Sequence, residues 1–236
     1  MTGVLAIDTA TDACSIALWR DGQVEERHEI APRQHNQRLF GMLRELVPNG
    51  RLAEHGVDVI AYGSGPGSFT GLRIAASAVQ GLAFATDLPA VAVSTLGCQV
   101  QTALRQGLAQ EGDMLFSTLD ARINEIYYAC FRIVDGLAEP VGPAKAGAPA
   151  DVRLDCSEQS LLAIGSGCQF VDHFPESIQA QISALNPGLM PHAQDLVPLA
   201  LASLQIGRTQ AAAEVQPVYV RDEINWKKIS EQGKRT

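Results

Sequence analysis

The chain has 236 residues, of which 46% are hydrophobic and 19% are charged, and its formal net charge is -8. This composition supplies ample material for a core and excludes general disorder. The acidic balance also argues against a free-standing nucleic-acid-binding domain, which needs a basic face. The five cysteines form no CxxC pair, so we expect reduced thiols in a cytoplasmic protein rather than a disulfide framework.

The first thirty residues predict a three-stranded meander. An apolar run at 4–7 ends at Asp8, as expected for a buried central strand. Apolar and small residues then alternate from Cys14 to Trp19, and Asp21-Gly22 is a strong hairpin signal before a polar strand at 24–30. A helix over 34–47 follows, because its apolar residues recur at helical spacing.

A strand at 57–62 leads into the glycine-rich stretch 63–73, and a helix over 70–86 comes next, with Ser68 or Thr70 as its N-cap. Apolar residues go most of the way round this helix. A helix of that kind is buried on both sides, either within its own chain or against a partner protein. The sequence alone leaves both alternatives open.

The remaining elements complete a recognisable order. We expect a strand at 90–93, a helix at 95–109, paired strands at 114–119 and 125–134, a linker or long loop at 136–150, and a helix at 193–206. A meander followed by helix, strand, helix and strand is the order of one lobe of the actin-like fold, an α/β fold related to ribonuclease H in which helices flank mixed sheets. A Rossmann-type fold would place a helix directly after Asp8.

Three local patterns offer chemistry, each with a structural alternative. The glycine-rich stretch lacks the Walker A lysine and the third glycine of a dinucleotide site, so a phosphate cradle competes with a simple tight turn. Asp8-Thr9-x-Thr11 could hold hydrated magnesium and phosphate, or it could close a hairpin. Asp120-Ala121-Arg122-x-x-Glu125 could perform acid–base work, or form an ion pair that fixes a turn. The candidate nucleotide or phosphate ligands are Asp8, Thr9, Thr11, Gly65, Gly67 and Ser68.

Several of these motifs together resemble the bacterial TsaB family, also called YeaZ. The quoted segments are Ile7-Asp8-Thr9-Ala10-Thr11, His35-Asn36-Gln37-Arg38-Leu39, Gly65-Pro66-Gly67-Ser68-Phe69-Thr70-Gly71-Leu72-Arg73-Ile74, Gln80-Gly81-Leu82-Ala83, Asp120-Ala121-Arg122 and Pro217-Val218-Tyr219-Val220-Arg221. The resemblance runs along nearly the whole chain, and the 65–74 segment is its most specific part. The 140–190 region contributes little to it.

The resemblance implies a non-catalytic, activating subunit for the synthesis of threonylcarbamoyladenosine in tRNA, next to the anticodon. In that family a metal-binding paralogue, TsaD, transfers the threonylcarbamoyl group, TsaB pairs with it, and an ATPase, TsaE, joins the pair. The two histidine ligands of TsaD-like proteins correspond here to Thr95 and Gln99, neither of which suits such a metal site. We therefore expect no metal and no cofactor of the chain's own, although ATP could bind at a subunit interface.

The resemblance also sets the expected organisation. Residues 1–108 form an N-terminal lobe that carries the partner interface, 109–220 a smaller, degenerate C-terminal lobe, and 221–236 a tail. Contact with tRNA would be indirect, through the complex, and the isolated chain would form a homodimer; no membrane span is expected. The alternative functions are an ATP-binding or ATP-hydrolysing enzyme and, third, a peptidase. The expected interface residues are His35, Leu39, Arg73, Ala75, Ala78, Val79 and Leu82.

Overall fold

The computed structural model describes residues 2–156 and 160–220, and in this part of the chain eleven strands form two sheets. The strands are β1 (Val4–Asp8), β2 (Ala13–Arg20), β3 (Gln23–Ile30), β4 (Val59–Gly65), β5 (Ala90–Ser94), β6 (Met114–Arg122), β7 (Glu125–Val134), β8 (Leu137–Pro140), β9 (Lys145–Gly147), β10 (Leu161–Ile164) and β11 (Ile182–Asn186). The α-helices are α1 (His35–Leu46), α2 (Phe69–Thr86), α3 (Thr95–Arg105), α4 (Glu176–Gln179) and α5 (Leu196–Gln205).

The first sheet has the strand order β3-β2-β1-β4-β5. Its central strand β1 is buried along its whole length, pairs antiparallel with β2 and runs parallel to β4. The predicted meander is therefore confirmed. The Asp21-Gly22 turn joins β2 to β3, and both of its residues have positive φ, as a tight hairpin requires.

The second sheet repeats the topology of the first. Its central strand β6 pairs antiparallel with β7, which pairs with β8, while β10 runs parallel to β6 and β11 parallel to β10. Both sheets are therefore built from three meandering strands followed by two parallel ones. This duplication, which the sequence does not reveal, confirms the two-lobe actin-like fold.

The second lobe replaces the long helices of the first with short turns. Its β10–β11 connection contains only a 3₁₀ segment, Ser166–His173, and the four-residue α4, whereas α2 in the first lobe has 18 residues. The stretch 136–150 is not a linker, because it contributes β8 and β9, which both pair with β7. Its proline and glycine content misled the sequence interpretation.

The C-terminal part of the chain returns to the first lobe. Helix α5 packs against β1, β4 and β5, and its buried residues share a core with Val4, Ala17 and Val91. Helix α3 packs in turn on β6, β7 and β8 of the second lobe. Residues from about 192 onward therefore pack on the first lobe, although the sequence analysis assigned them to a C-terminal lobe at 109–220.

Two further expectations concern surfaces and ends. No helix within 2–156 and 160–220 is long and apolar enough to cross a membrane. The tail at 221–236, with its lysines and arginines, lies outside the described residues.

Candidate functional site

A polar cleft of about 260 Å³ lies between the two lobes. Its walls come from the β1–β2 turn, the start of α2, the end of β6 and the segments 166–169 and 187–190. Small-molecule sites usually enclose about 300–1,000 Å³, so this cleft would hold a fragment rather than a whole nucleotide. Its polar side chains are Thr11, Asp12, Ser68, Asp120, Arg122, Ser166 and Gln169.

The predicted phosphate ligands divide between the cleft and the interior. Thr11, Gly67 and Ser68 line the cleft. Asp8, Thr9 and Gly65 are buried instead, so they do not face a ligand in the cleft. Thr9 uses its hydroxyl to donate a hydrogen bond to the carbonyl of Gly71 at 2.7 Å. The structure therefore does not bring the six predicted residues together in one site.

Asp8 is a buried carboxyl group with one unpartnered oxygen. Its Oδ1 accepts a hydrogen bond from the Ala10 amide at 3.0 Å, while Oδ2 has no partner in the described part of the chain. Burial raises the pKa of Asp8 to about 7, although the Ala10 amide and the nearby His192 act in the opposite direction. This carboxyl group is therefore protonated in a large share of molecules at neutral pH.

The glycine-rich stretch is a tight corner between β4 and α2. A methyl group at Gly67 would collide with the carbonyl oxygen of Ala10, and one at Gly71 with that of Thr9. The loop therefore packs directly on the β1–β2 turn, which leaves no space for a phosphate between them. Ser68 caps α2, because its Oγ accepts a hydrogen bond from the Gly71 amide at 3.3 Å.

The Asp120–Arg122 pair fixes the turn between β6 and β7. Asp120 Oδ1 accepts a hydrogen bond from the Arg122 amide at 2.8 Å, and Oδ2 lies 3.4 Å from Arg122 Nη1. Arg122, Ile123 and Asn124 all have positive φ, so the turn consists of three consecutive left-handed residues. The ion-pair interpretation of this motif is confirmed.

Thr95 and Gln99 occupy the position that the family resemblance associates with metal ligands. Gln99 Nε2 donates to the Leu189 carbonyl at 2.7 Å, and its Oε1 accepts from Ser117 at 2.8 Å. Thr95 is fully buried, and its hydroxyl has no partner among the described residues. Gln99 thus serves as a structural bridge to the 187–190 segment. Across 2–156 and 160–220 no group of three histidine, cysteine or acidic side chains is arranged to hold a metal ion.

A histidine pair that the sequence analysis missed joins β3 to the returning C-terminal segment. The rings of His28 and His192 stack with centroids 3.8 Å apart. His192 Nδ1 lies 3.0 Å from Glu26 Oε2, and Glu26 also accepts hydrogen bonds from Gln194. Burial of Glu26 opposes its ionisation, but the bonds from His192 and Gln194 outweigh it and lower the pKa of Glu26.

An apolar surface lies on the outer side of α1 and α2. A shallow groove of about 570 Å³ runs between these helices, and Phe40 and Phe69 line it with exposed fractions of 42% and 50%. Farther along the same face of α2, Phe84 is 84% exposed. We call this surface the helical patch and define it by the residues Phe40, Phe69, Arg73, Ile74, Ser77 and Phe84.

Arg73 is held within the helical patch by two aromatic rings. Its guanidinium carbon lies 3.8 Å from the centre of the Phe69 ring, and its Nε donates to the Tyr219 hydroxyl at 3.0 Å. Tyr219 itself lies against Phe69, with ring centroids 5.6 Å apart. These contacts fix the orientation of an exposed arginine in the isolated chain.

The predicted interface residues do not all lie on this surface. Leu39, Ala75 and Val79 are buried in the core between the helices and the first sheet. His35 is also buried, with its Nε2 3.2 Å from the Ala13 carbonyl. These four side chains therefore do not lie on the outer surface of the free chain. On α2, the hydrophobic periodicity does not show which face points outward. Ala78 is only 8% exposed, Leu82 is half-buried and Arg73 is exposed.

Comparison with known proteins identifies the relatives of this fold. The family model of TsaD, the tRNA N6-adenosine threonylcarbamoyltransferase, matches residues 28–181. The tRNA threonylcarbamoyladenosine biosynthesis protein TsaB of Escherichia coli (strain K12) is 36% identical over 96% of this chain and 97% of its own length. The protein of the same name from Haemophilus influenzae is 31% identical over 96% of both chains.

The solved structures agree with this relationship. The structure of YeaZ from Pseudomonas aeruginosa matches with a TM-score of 0.85 and 37% identity, and it covers 93% of this chain and all of its own. Identity above 30% along nearly the full length, the shared two-lobe architecture and the glycine corner lead to one conclusion. The chain belongs to the TsaB (YeaZ) family.

Proposed function

We propose that this protein is a non-catalytic subunit in the biosynthesis of tRNA threonylcarbamoyladenosine, and that it pairs with a TsaD-like threonylcarbamoyltransferase. Its full-length similarity to proteins named for that pathway supports the process. The helical patch carries the proposal of a protein partner, because it exposes three phenylalanines on two neighbouring helices. Large apolar side chains exposed on neighbouring helices are typical of a protein–protein interface.

The shape and chemistry of the helical patch fit a helical partner. The groove between α1 and α2 can accept side chains from a facing helix, as ridges fit into grooves. Arg73 lines the groove and is already oriented, so it would lose little side-chain entropy on binding. Aromatic residues and arginine are the residue types that dominate binding energy at such surfaces.

The buried groups near β1 support a non-catalytic role. Asp8 and Thr9 are enclosed, and Gln99 is used to hold the 187–190 segment. Thr95 replaces a metal ligand expected in TsaD-like relatives, although the family model that matches this chain describes a transferase. We therefore assign the chemistry to the partner and a supporting role to this chain.

The wider assembly follows from the same proposal. A TsaE-like ATPase would join the pair, and tRNA would be bound by the complex, since a chain with a net charge of -8 binds polyanions weakly by itself. Without its partner, the chain would cover the helical patch by forming a homodimer. All of these steps would take place in the cytoplasm.

Reconstitution of the modification on unmodified tRNA tests this function. The transferase and the other pathway components are assayed with and without this chain, and threonylcarbamoyladenosine is measured by mass spectrometry of digested tRNA. We expect formation of the modified nucleoside to depend on the chain. Full activity of the remaining components alone would contradict the proposal.

A second candidate function, ATP binding, is favoured only by the hydroxyls and arginine that line the cleft. Calorimetry of the isolated chain and of the pair, each with ATP and magnesium, tests it. Saturable binding by the isolated chain that Arg122→Ala and Ser68→Ala both weaken would support an ATP site within this chain. Binding by the pair alone would place the nucleotide at the subunit interface instead.

A further inference from the structure

Two cysteine sulfurs in the second lobe lie in direct contact. Cys130 is buried on β7, and Cys156 is half-exposed at the end of the segment that follows β9. Their Sγ atoms are 2.8 Å apart, although the two residues are separated by 26 positions in the chain. A disulfide bond has a sulfur–sulfur length of about 2.05 Å, so the two atoms need to approach by only about 0.8 Å.

The surrounding contacts bring the two sulfurs together. Residues 148–156, which we call the strap, run across the face of the second sheet. The Arg153 amide donates to the Tyr128 hydroxyl at 3.3 Å, and Lys145 Nζ lies 2.6 Å from Asp155 Oδ1. Val152 is buried in the same core cluster as Cys130. The strap is therefore held by packing and polar contacts, and Cys156 is placed over Cys130 as a result.

We propose that Cys130 and Cys156 are a modification site at which two-electron oxidants such as hydrogen peroxide form an intramolecular disulfide. In the first step the Cys156 thiol is oxidised to a sulfenic acid, and the peroxide is reduced to one water and gives its other oxygen to sulfur. In the second step the Cys130 sulfur attacks the Cys156 sulfur, which forms the S–S bond and expels the oxygen as a second water. The two thiol groups lose two electrons and two hydrogens in total.

The different environments of the cysteines indicate the order in which Cys156 and Cys130 react. Cys156 is the half-exposed member of the five, whereas Cys14, Cys98, Cys130 and Cys168 are buried. Burial, followed by the contact with Cys156, raises the pKa of the Cys130 thiol, so Cys130 is a poor first nucleophile. Cys98 and Cys168 are engaged with His192 O and with the Thr118 hydroxyl, respectively. The oxidant therefore reaches Cys156 first, and Cys130 resolves the intermediate.

The disulfide would join the strap covalently to β7. Because it closes a loop of about 26 residues, it restricts the unfolded chain, and the melting temperature should rise by roughly 6–12 °C. The helical patch belongs to the other lobe, so oxidation should leave partner binding unchanged. This readout separates the modification from the proposed function.

Thiol counting on the full chain tests the proposal. The reduced protein is treated with hydrogen peroxide, denatured and alkylated, and its intact mass is measured. We expect five alkylated thiols before oxidation and three after it. Trypsin leaves Cys156 and Cys168 in one peptide, 154–208, so the linked peptides are mapped in a Cys168→Ser variant, which should still lose two thiols.

Two single substitutions make the result decisive. Cys130→Ser should accumulate a sulfenic acid at Cys156 that a dimedone probe labels, and Cys156→Ser should keep all its remaining thiols and its melting temperature. Cys156 is half-exposed, so this second variant remains informative even if the first one folds poorly. The proposal is overturned if wild-type protein keeps five thiols at a peroxide dose that converts Cys156 in Cys130→Ser. A wild-type disulfide that links two chains, or no rise in melting temperature, would also overturn it.

Discussion

Two regions of the first lobe reverse the usual distribution of polar and apolar groups. Around the end of β1, the carboxyl of Asp8 and the hydroxyls of Thr9 and Thr95 are buried. On the outer side of α1 and α2, the rings of Phe40 and Phe84 are exposed. Polar groups suited to chemistry are enclosed while apolar groups face solvent. This contrast is the basis for proposing a protein interface on the outer side of α1 and α2.

The largest expected effect concerns the enclosed region around Asp8 and is measured as a change in stability with pH. In the unfolded chain Asp8 ionises near its usual pKa of 3.8, whereas in the folded chain it ionises near 7. The free energy of unfolding of the wild type is therefore reduced as pH rises through this window. The Asp8→Asn side chain cannot ionise and can still accept the Ala10 hydrogen bond. As pH rises through this window, the free energy of unfolding of the variant should therefore increase by about 4 kcal/mol relative to that of the wild type.

Urea unfolding of both proteins at several pH values between about 4 and 8 measures this gain. If the free energies of unfolding of wild type and variant change with pH in parallel, Asp8 is ionised in the folded state. That result would mean that the enclosed region is open to solvent or to a cation, and the comparison of the two regions would no longer hold.

The helical patch is tested by placing charge on its most exposed positions. Ser77→Glu combined with Phe84→Glu should reduce affinity for the TsaD-like transferase by about 100-fold or more, because the facing apolar surface cannot accept buried carboxylates. The melting temperature should change by less than about 2 °C, since both side chains are exposed in the free chain. Calorimetry or surface plasmon resonance measures the affinity.

Leu185→Glu, on the exposed β11 strand of the second lobe, is the matched control and should bind normally. Wild-type affinity in the double variant would place the partner elsewhere. Ala78→Glu would be a poor test, because Ala78 is nearly buried and the substitution would also disturb the core.

Two glycines of α2 separate the enclosed side of the helix from its outer side. Gly71→Ala should reduce the free energy of unfolding by about 2–3 kcal/mol, because the new methyl group meets the Thr9 carbonyl. Gly81→Ala should increase it by about 0.5–1 kcal/mol, since that position faces open space and alanine favours the helix. Denaturant unfolding measures the free-energy change of each variant. Equal changes for the two variants would contradict the close packing described for the glycine-rich corner between β4 and α2.

The smallest expected effect on stability concerns Arg73. Its contacts with Phe69 and Tyr219 are exposed, so Arg73→Ala should reduce the free energy of unfolding by less than about 1 kcal/mol. Affinity for the transferase should nevertheless fall by about 10-fold if the helical patch is the interface. Arg51 is another exposed arginine, and Arg51→Ala should change neither the free energy of unfolding nor the affinity much. Equal affinities of the two variants would exclude Arg73 from the interface.

The sequence predicted the parts of the fold that depend on local patterns. The meander, α1 and α2 follow from periodicity and turn residues within short windows. Strands β8 and β9 were missed, because their only strand signal is pairing with β7. The duplicated topology and the return of α5 to the first sheet are likewise non-local, so no local window contains them.

For α2, the sequence predicted the helix but not which of its faces points outward. Apolar residues go most of the way round alanine-rich α2, so Ala75 and Val79 were predicted at the interface although they lie in the core. The exposed aromatic residues were the better signal for the outward face of the helix, because Phe84, unlike the alanines, is a large apolar side chain. Burial of Asp8 could not be foreseen, because it depends on the loop at 63–71 folding over it.

The returning C-terminal segment has a consequence for how the protein is made. The Ala193 amide bonds to Ser15, Gln210 pairs with Ala90, and the Gln216 carbonyl accepts a hydrogen bond from Tyr62. During translation, the first lobe therefore waits for residues synthesised more than a hundred positions later before its sheet is covered. Contacts so distant in sequence slow folding and expose apolar surface on the nascent chain.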